Sequence, residues 1–294
     1  MNLVSIIMTC HNGEAFLQEA LDSVIKQTYS NWELIFYDNN STDKSKAIIN
    51  GYKDDRIKYF KSEKLLNLGT IRNLSLNNCK GEYICFLDTD DYWSKFKLEK
   101  QIDKFKTNQN IDIVYSNYFE VRNKDITKKK KIMYRGNCQD EIILSYIKGS
   151  PLTAWLTLMI KKSSIDRLEY SFDKNTHIAS DLDLIIRLSS YCNFDYHDDY
   201  FGYYRLHKNN ESINKNKEVN ELNYIVNKYK QNRKINSLFQ QKNFANKILI
   251  KYLLIQKLSG NSDTNSSSID SKFIRLIYFI IKITPKKLLN IFTK

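Results

Sequence analysis

The chain has 294 residues, of which 42% are hydrophobic, and a formal net charge of +13. That length suits one large domain, or one domain with a helical appendage. Its longest strongly apolar run, Phe273 to Ile283, falls short of the roughly 20 residues that span a bilayer. The positive charge would suit nucleic acid, an anionic membrane surface or a phosphorylated substrate. No helix-turn-helix, zinc-finger or RNA-recognition signature is present, so nucleic acid is not expected as a partner.

Taken in order, "VSIIM" (4–8) reads as a buried strand, and Phe16, Leu17, Ala20, Leu21, Val24 and Ile25 recur at helical intervals within 13–27. "WELIFY" (32–37) is a second strand, "DNNSTD" (38–43) a turn, and 44–52 a short helix. "RIKYF" (56–60) is a third strand, 67–78 a helix, "YICFL" (83–87) a fourth strand, 93–107 a helix and "IDIVYSNYF" (111–119) a fifth strand. This alternation predicts an α/β fold with a mostly parallel sheet and helices on both faces. From 122 to 149 the pattern weakens, and a mobile excursion is expected. "LTLMIKK" (156–162) resumes strand character, 181–191 is a helix and 194–206 is extended. Beyond Asn214 the chain turns helical and basic, with "GNSDTNSSS" (260–268) as a linker before a last helix. The predicted organisation is a catalytic domain over 1–214, a helical extension over 215–259, and a linker with an amphipathic helix over 260–294.

Five cysteines (Cys10, Cys79, Cys85, Cys138 and Cys192) show no CxxC spacing. Reduced, buried thiols and the absence of a basic, apolar leader make a cytoplasmic location the expectation.

In an open parallel sheet, ligands bind beyond the carboxyl ends of the strands. Thr9, Cys10, His11 and Asn12 follow the first strand, Asp38, Asn39, Asn40 and Ser41 the second, and Asp88, Asp90 and Asp91 the fourth. Carboxylates this close repel one another. A shared hard cation, Mg²⁺ or Mn²⁺, relieves that repulsion, and such ions fill their remaining positions with water and phosphate oxygens. The acids therefore predict a cation and, through it, a diphosphate at the sheet edge. Solvated turn or helix-capping residues are the alternative, Asp91 being suited to cap the helix near Trp93.

Four stretches, in order, resemble the family 2 glycosyltransferases, nucleotide-sugar transferases of the A-type fold. They are "VSIIMTCHNGEAFLQEALDSVIKQTYSNWELIFYDNNSTDKS" (4–45), "NLGTIRNLSLNNCKGEYICFLDTDDYW" (67–93), "SDLDLIIRLS" (180–189) and "YYRLHKNNESI" (203–213). The second contains an Asp-x-Asp motif as Asp88-Thr89-Asp90. The resemblance implies an inverting, metal-dependent hexosyltransferase. It would move a sugar from a nucleotide-sugar donor, a UDP-sugar, to a hydroxyl of a glycan or lipid-linked glycan. Asp38, Asn39 and Thr9 would lie at the base or ribose, Arg72 near the base or phosphates, and Asp88 at the ribose and metal. Asp90 would hold the Mn²⁺ or Mg²⁺ with His207 facing it, and Asp181 would be the catalytic base.

Chemistry supports each role. A metal offsets charge on the departing diphosphate, cationic groups such as Arg72 assist, and a carboxylate takes the acceptor hydroxyl's proton. Asp181 also suits a simple helix cap, and Asp183 competes for the base role, its other reading being solvated helix surface or support for Arg187. The sequence departs from the family pattern at Asn39, where a second aspartate is usual, and at Ser180, where a glutamate usually precedes the base. An amide offers both a donor and an acceptor, so Asn39 can alter base recognition.

Several residues invite plainer readings. His11 suits loop hydrogen bonds, His177 and His197 the surface, and Tyr196 to Tyr204 a packed strand. Trp155 suits acceptor stacking or the core. An Asp-x-Asp phosphatase is disfavoured because the motif ends the fourth strand rather than the first. A degenerate sugar-binding relative is the non-enzymatic alternative. The segment "FIRLIYFIIKITPKKLLNIFTK" (273–294) is apolar and lysine-bearing, interrupted by Pro285. It suits either packing on the domain or peripheral membrane contact through 270–294.

Overall fold

The computed structural model describes residues 2–122, 125–130, 154–210, 215–229 and 231–232. It divides into a unit of Met1–Lys208 and a unit of Asn209–Lys294. In the second unit the described element is a helix, Lys215–Lys228.

The first unit begins β1 (Val4–Cys10), α1 (Leu17–Ile25), β2 (Trp32–Asp38), α2 (Ser45–Asn50), β3 (Ile57–Lys61), α3 (Leu68–Asn77) and β4 (Tyr83–Phe86). It continues β5 (Tyr92–Trp93), α4 (Lys97–Thr107), β6 (Ile113–Arg122) and β7 (Asp125–Lys130). A 3-10 turn (Trp155–Thr157), β8 (Met159–Lys161), α5 (Lys162–Asp166), α6 (Ser180–Leu188) and β9 (Phe194–Arg205) complete it.

The strands form one sheet in the order β3-β2-β1-β4-β8-β6-β9-β5, with β7 on β6. β3, β2, β1 and β4 are parallel, Val4 lying against Trp32 on one side and Tyr83 on the other. The expected parallel half is therefore present, while the other half is mixed. β8 runs antiparallel to both β4 and β6, β6 and β9 are parallel, and β5 and β7 are antiparallel to their partners. An antiparallel pairing, unlike a parallel one, needs no helical crossover between its strands.

The near-continuous apolar strands reflect burial on both faces. Alternate residues of β1 point oppositely. Val4, Ile6 and Met8 pack with Leu17 and Leu21 of α1 and with Leu98, Ile102 and Phe105 of α4. Ile7 joins Ile84 and Phe86 against Leu76 of α3 and Leu184, Ile185 and Leu188 of α6. Helices thus cover both faces.

One local expectation changes, and two readings are met. The helix expected over 93–107 starts at Lys97, because Tyr92 and Trp93 pair with Tyr203 and Gly202 of β9. The tyrosine-rich stretch is a packed strand, with Tyr203 stacked on Tyr92 at 4.4 Å. Trp155 belongs to the core, stacked on Phe86 at 3.9 Å. Cys10, Cys79, Cys85 and Cys192 are free and buried, and burial pushes the Cys79 and Cys192 thiols up to about 12. Residues 131–153, Cys138, the 260–268 linker and the 273–294 segment lie outside the described residues.

Candidate functional site

The parallel strands bring the β1–α1 and β2–α2 connections side by side, and hydrogen bonds join them. Asn39 N–H donates to Cys10 O at 2.7 Å, and His11 Nδ1 lies 2.9 Å from Asn39 O, the loop role expected for this histidine. Asn12 N–H and Gly13 N–H donate to the hydroxyls of Ser41 and Ser45. Glu14 N–H donates to Asp43 Oδ2 at 2.9 Å, and Lys44 N–H returns a bond to Glu14 Oε2 at 2.9 Å. Asn12 and Asn40 adopt φ of 54° and 60°, the left-handed region that asparagine tolerates better than most residues.

Asp38 ends β2 and is fully buried. Its Oδ1 accepts from Ser41 N–H at 2.7 Å and its Oδ2 from the Tyr59 hydroxyl at 2.9 Å, so the carboxylate braces the turn. The Asn39 amide is committed at both ends: Nδ2–H donates to Leu66 O and Oδ1 accepts from Leu66 N–H, each at 2.9 Å. An aspartate could accept from Leu66 but not donate to it. Thr9 pairs with Tyr37 on the adjacent strand and is half-buried.

The acidic turn divides three ways. Asp88 faces α3, with Arg72 Nη2 3.6 Å from its Oδ1. Asp90 Oδ2 lies 2.9 Å from His207 Nε2. Asp91 is buried and accepts from Arg205 N–H at 2.8 Å, which corrects the helix-capping expectation: α4 starts after Phe96 without a side-chain cap. Burial first, then the charges of Asp90 and Asp88, hold the Asp91 carboxyl well above the usual carboxylate range. No sequence pattern marks Arg205, yet it secures this turn. Its Nε–H donates to Asp90 O at 2.8 Å, its Nη2 pairs with Glu19 of α1, and its guanidinium lies 4.6 Å from the Phe16 ring centre. Phe16 also packs on His207, with ring centres 4.9 Å apart.

The base candidate stands on the first turn of α6. Arg72, buried on α3 and 4.8 Å above the Trp155 ring, donates from Nη1 to Ser180 Oγ at 2.5 Å. One guanidinium therefore joins Asp88 to the residue preceding Asp181. Asp181 Oδ1 accepts from Leu182 N–H at 2.7 Å, while the N-cap itself is Ala179 without a side-chain cap. Asp183 is fully buried and paired with Arg187 at 2.9 Å, so it supports Arg187 and is not solvated surface. His177 is a further correction to a surface reading: it is half-buried, and its Nδ1 accepts from Leu68 N–H at 3.2 Å.

Among the described residues, no three acids, histidines or cysteines close around one point as a metal cluster. The Asp90–His207 pair nevertheless fits a hard cation of the Mg²⁺ or Mn²⁺ type. Such ions take one or two protein carboxylates and draw their other ligands from water and substrate phosphates.

Comparison with known proteins bears on the chain's family and fold. The family model Glycosyl transferase family 2 matches residues 5–168. The Escherichia coli protein UDP-Glc:alpha-D-GlcNAc-diphosphoundecaprenol beta-1,3-glucosyltransferase WfgD is 40% identical over 136 residues, 45% of this chain and 53% of that protein, so the match spans about half of that relative. A second Escherichia coli glucosyltransferase with the same activity in its name, WfaP, is 31% identical over 219 residues, 74% of this chain and 83% of that protein. The crystal structure of S. aureus TarS 1-349 in complex with UDP superposes with a TM-score of 0.62 at 19% identity, covering 92% of this chain and 76% of that one. The mannosyltransferase PcManGT from Pyrobaculum calidifontis, in complex with GDP-Man and Mn²⁺, gives 0.63 at 13% identity, covering 99% and 82%. At these identities the structural likeness is one of fold.

Proposed function

The chain belongs to glycosyl transferase family 2, and from that premise we propose that it moves a hexose from a UDP-sugar to a hydroxyl of a lipid-linked glycan, with inversion. The observation that carries the reading is the convergence at one sheet edge: Asp90 meets His207, and Arg72 bridges Asp88 to Ser180 beside Asp181. The turn braced by Asp38, with Thr9 and Asn39 alongside, receives the nucleoside. Asp88 and Arg72 meet the ribose and phosphates. Asp90 and His207 would hold the divalent cation, which would supply Lewis-acid stabilisation of the leaving diphosphate. Asp181 takes the acceptor proton as the hydroxyl oxygen attacks the anomeric carbon. The UDP complex of TarS and the UDP-Glc in the names of WfgD and WfaP support the donor class. The diphosphoundecaprenol in those names supports a lipid-linked acceptor.

The donor class is testable by thermal denaturation. With Mn²⁺ present, UDP should raise the melting temperature more than GDP or CMP, because a ligand bound only by the native state adds RT ln(1 + [L]/Kd) to stability. A larger shift with GDP would overturn the uridine assignment and implicate Asn39. Hydrolysis of a UDP-sugar by the purified protein separates transfer from a binding-only relative.

A lipid-linked acceptor implies work at the inner face of the cytoplasmic membrane. Among the described residues no helix is long and apolar enough to cross one. Residues 270–294 combine apolar side chains with Lys282, Lys286, Lys287 and Lys294, and each lysine near an anionic surface contributes about 1 kcal/mol. Full-length protein should co-sediment with anionic liposomes at low salt, and protein truncated after Gly260 should not, while still hydrolysing donor. Equal amounts of both forms in the supernatant would exclude the membrane role.

A further inference from the structure

Helix α3 carries Gly69, Arg72 and Asn73 at i, i+3 and i+4, which places them on one face. All three meet the irregular segment 172–180 that leads into α6. Asn73 Nδ2–H donates to Phe172 O at 2.8 Å, and Phe172 N–H donates to Asn73 Oδ1 at 2.9 Å. The amide thus satisfies both main-chain groups of one residue, as a neighbouring strand would. A Cβ at Gly69 would collide with Asp173 O and stand 3.1 Å from Thr176 O. Arg72 reaches Ser180 Oγ at 2.5 Å, and the Ser180 hydroxyl donates to His177 O at 3.0 Å. At its N-terminal end, next to Gly69, α3 follows the Leu66 backbone held by Asn39.

Residues 172–179 have no helix or strand of their own, and these contacts tie them, and Ser180 at the start of α6, to α3. We infer that Asn73 and Gly69 are positioning residues for Asp181, with α3 acting as the spacer between the nucleoside turn and the general base. The inference rests on the assignment of Asp181 as that base. A base must lie within hydrogen-bond reach of the proton it takes, and a misplacement of about 1 Å from a remote change can cost about a hundredfold in rate.

Two variants test it. Asn73→Leu keeps the branching at Cγ and removes both hydrogen bonds. Gly69→Ala keeps them and pushes the segment away by one methyl group. Each is assayed for kcat and donor KM in sugar transfer, and for UDP affinity by calorimetry, at a temperature where circular dichroism shows it folded. Both should lose at least about tenfold in kcat, within the range for a misplaced catalytic group, with UDP Kd and donor KM held within about twofold. A merely structural role would lower the melting temperature and leave kcat of the folded protein intact. Unchanged kcat in the folded variants, or kcat and UDP affinity falling together, would overturn the positioning role. If Asp181→Asn is impaired and these variants are not, the spacer idea alone fails. If Asp181→Asn is fully active, the base assignment and the spacer role fall together.

Discussion

Asp181→Asn is expected to reduce glycosyl transfer by about a hundredfold or more while leaving UDP and metal binding in place. An amide is nearly isosteric with the carboxylate and can still accept from Leu182 N–H, the contact Asp181 makes at 2.7 Å. The first turn of α6 should therefore persist. What is lost is the ability to accept a proton from the acceptor hydroxyl. Asp183 offers no substitute, because its carboxylate is buried and paired with Arg187, which also donates to Tyr170 O at 2.5 Å. Single-turnover transfer and UDP titration on one preparation make the measurement. Near-normal transfer would remove Asp181 from the reaction, and loss of UDP binding would show that the substitution disturbs the donor site instead.

Removal of the cation is the second large effect. Excess EDTA should abolish transfer, with Mn²⁺ or Mg²⁺ restoring it, and Asp90→Asn should lower turnover at least about tenfold, equivalent to about 1.4 kcal/mol of barrier. Asp90 is the appropriate residue to change because its Oδ2 meets His207 Nε2 at 2.9 Å, whereas Asp88 is turned towards Arg72 and Asp91 is buried under Arg205. Asp90→Asn removes the negative charge and one carboxylate oxygen without unpairing Arg72 or Arg205, whose contacts go to Asp88 and to the Asp90 main chain. Full activity in EDTA would refute the metal requirement, even if Asp90→Asn were impaired.

The fold was legible wherever burial alone decides local structure. "VSIIM" and "YICFL" are apolar because parallel strands are covered on both faces, and continuous apolar runs bounded by polar turns survive any tertiary context. β5 was not legible. Two residues carry no periodicity, and Tyr92-Trp93 is a strand only because Tyr203 and Gly202 lie opposite. At the site, the acids at strand ends could be located from the sequence, but their division of labour could not. Asp88, Asp90 and Asp91 look alike in order, and they part because Arg72, His207 and Arg205 approach from separate directions. Arg205 carries no local signal because its partner Glu19 is 186 residues away. Asn73 is an ordinary helix-surface residue until Phe172 is placed against it. Long-range pairs of this kind leave no periodic trace in the sequence.

The antiparallel β8 has a consequence for how the chain is made. β4, which delivers the acidic turn, is flanked by β1 on one side and by Met159–Lys161 on the other. A nascent chain that has emerged only to about residue 150 therefore presents "YICF" as an open sheet edge, an apolar template for pairing with other chains. Closing it requires a contact across some 75 positions, and such distant pairings are slow to form because loop closure precedes any gain. The donor half expressed as a module ending before β8 is therefore expected to aggregate. Ribosome pausing or proteolysis in the 131–153 stretch would release an aggregation-prone fragment rather than a working nucleotide-binding domain.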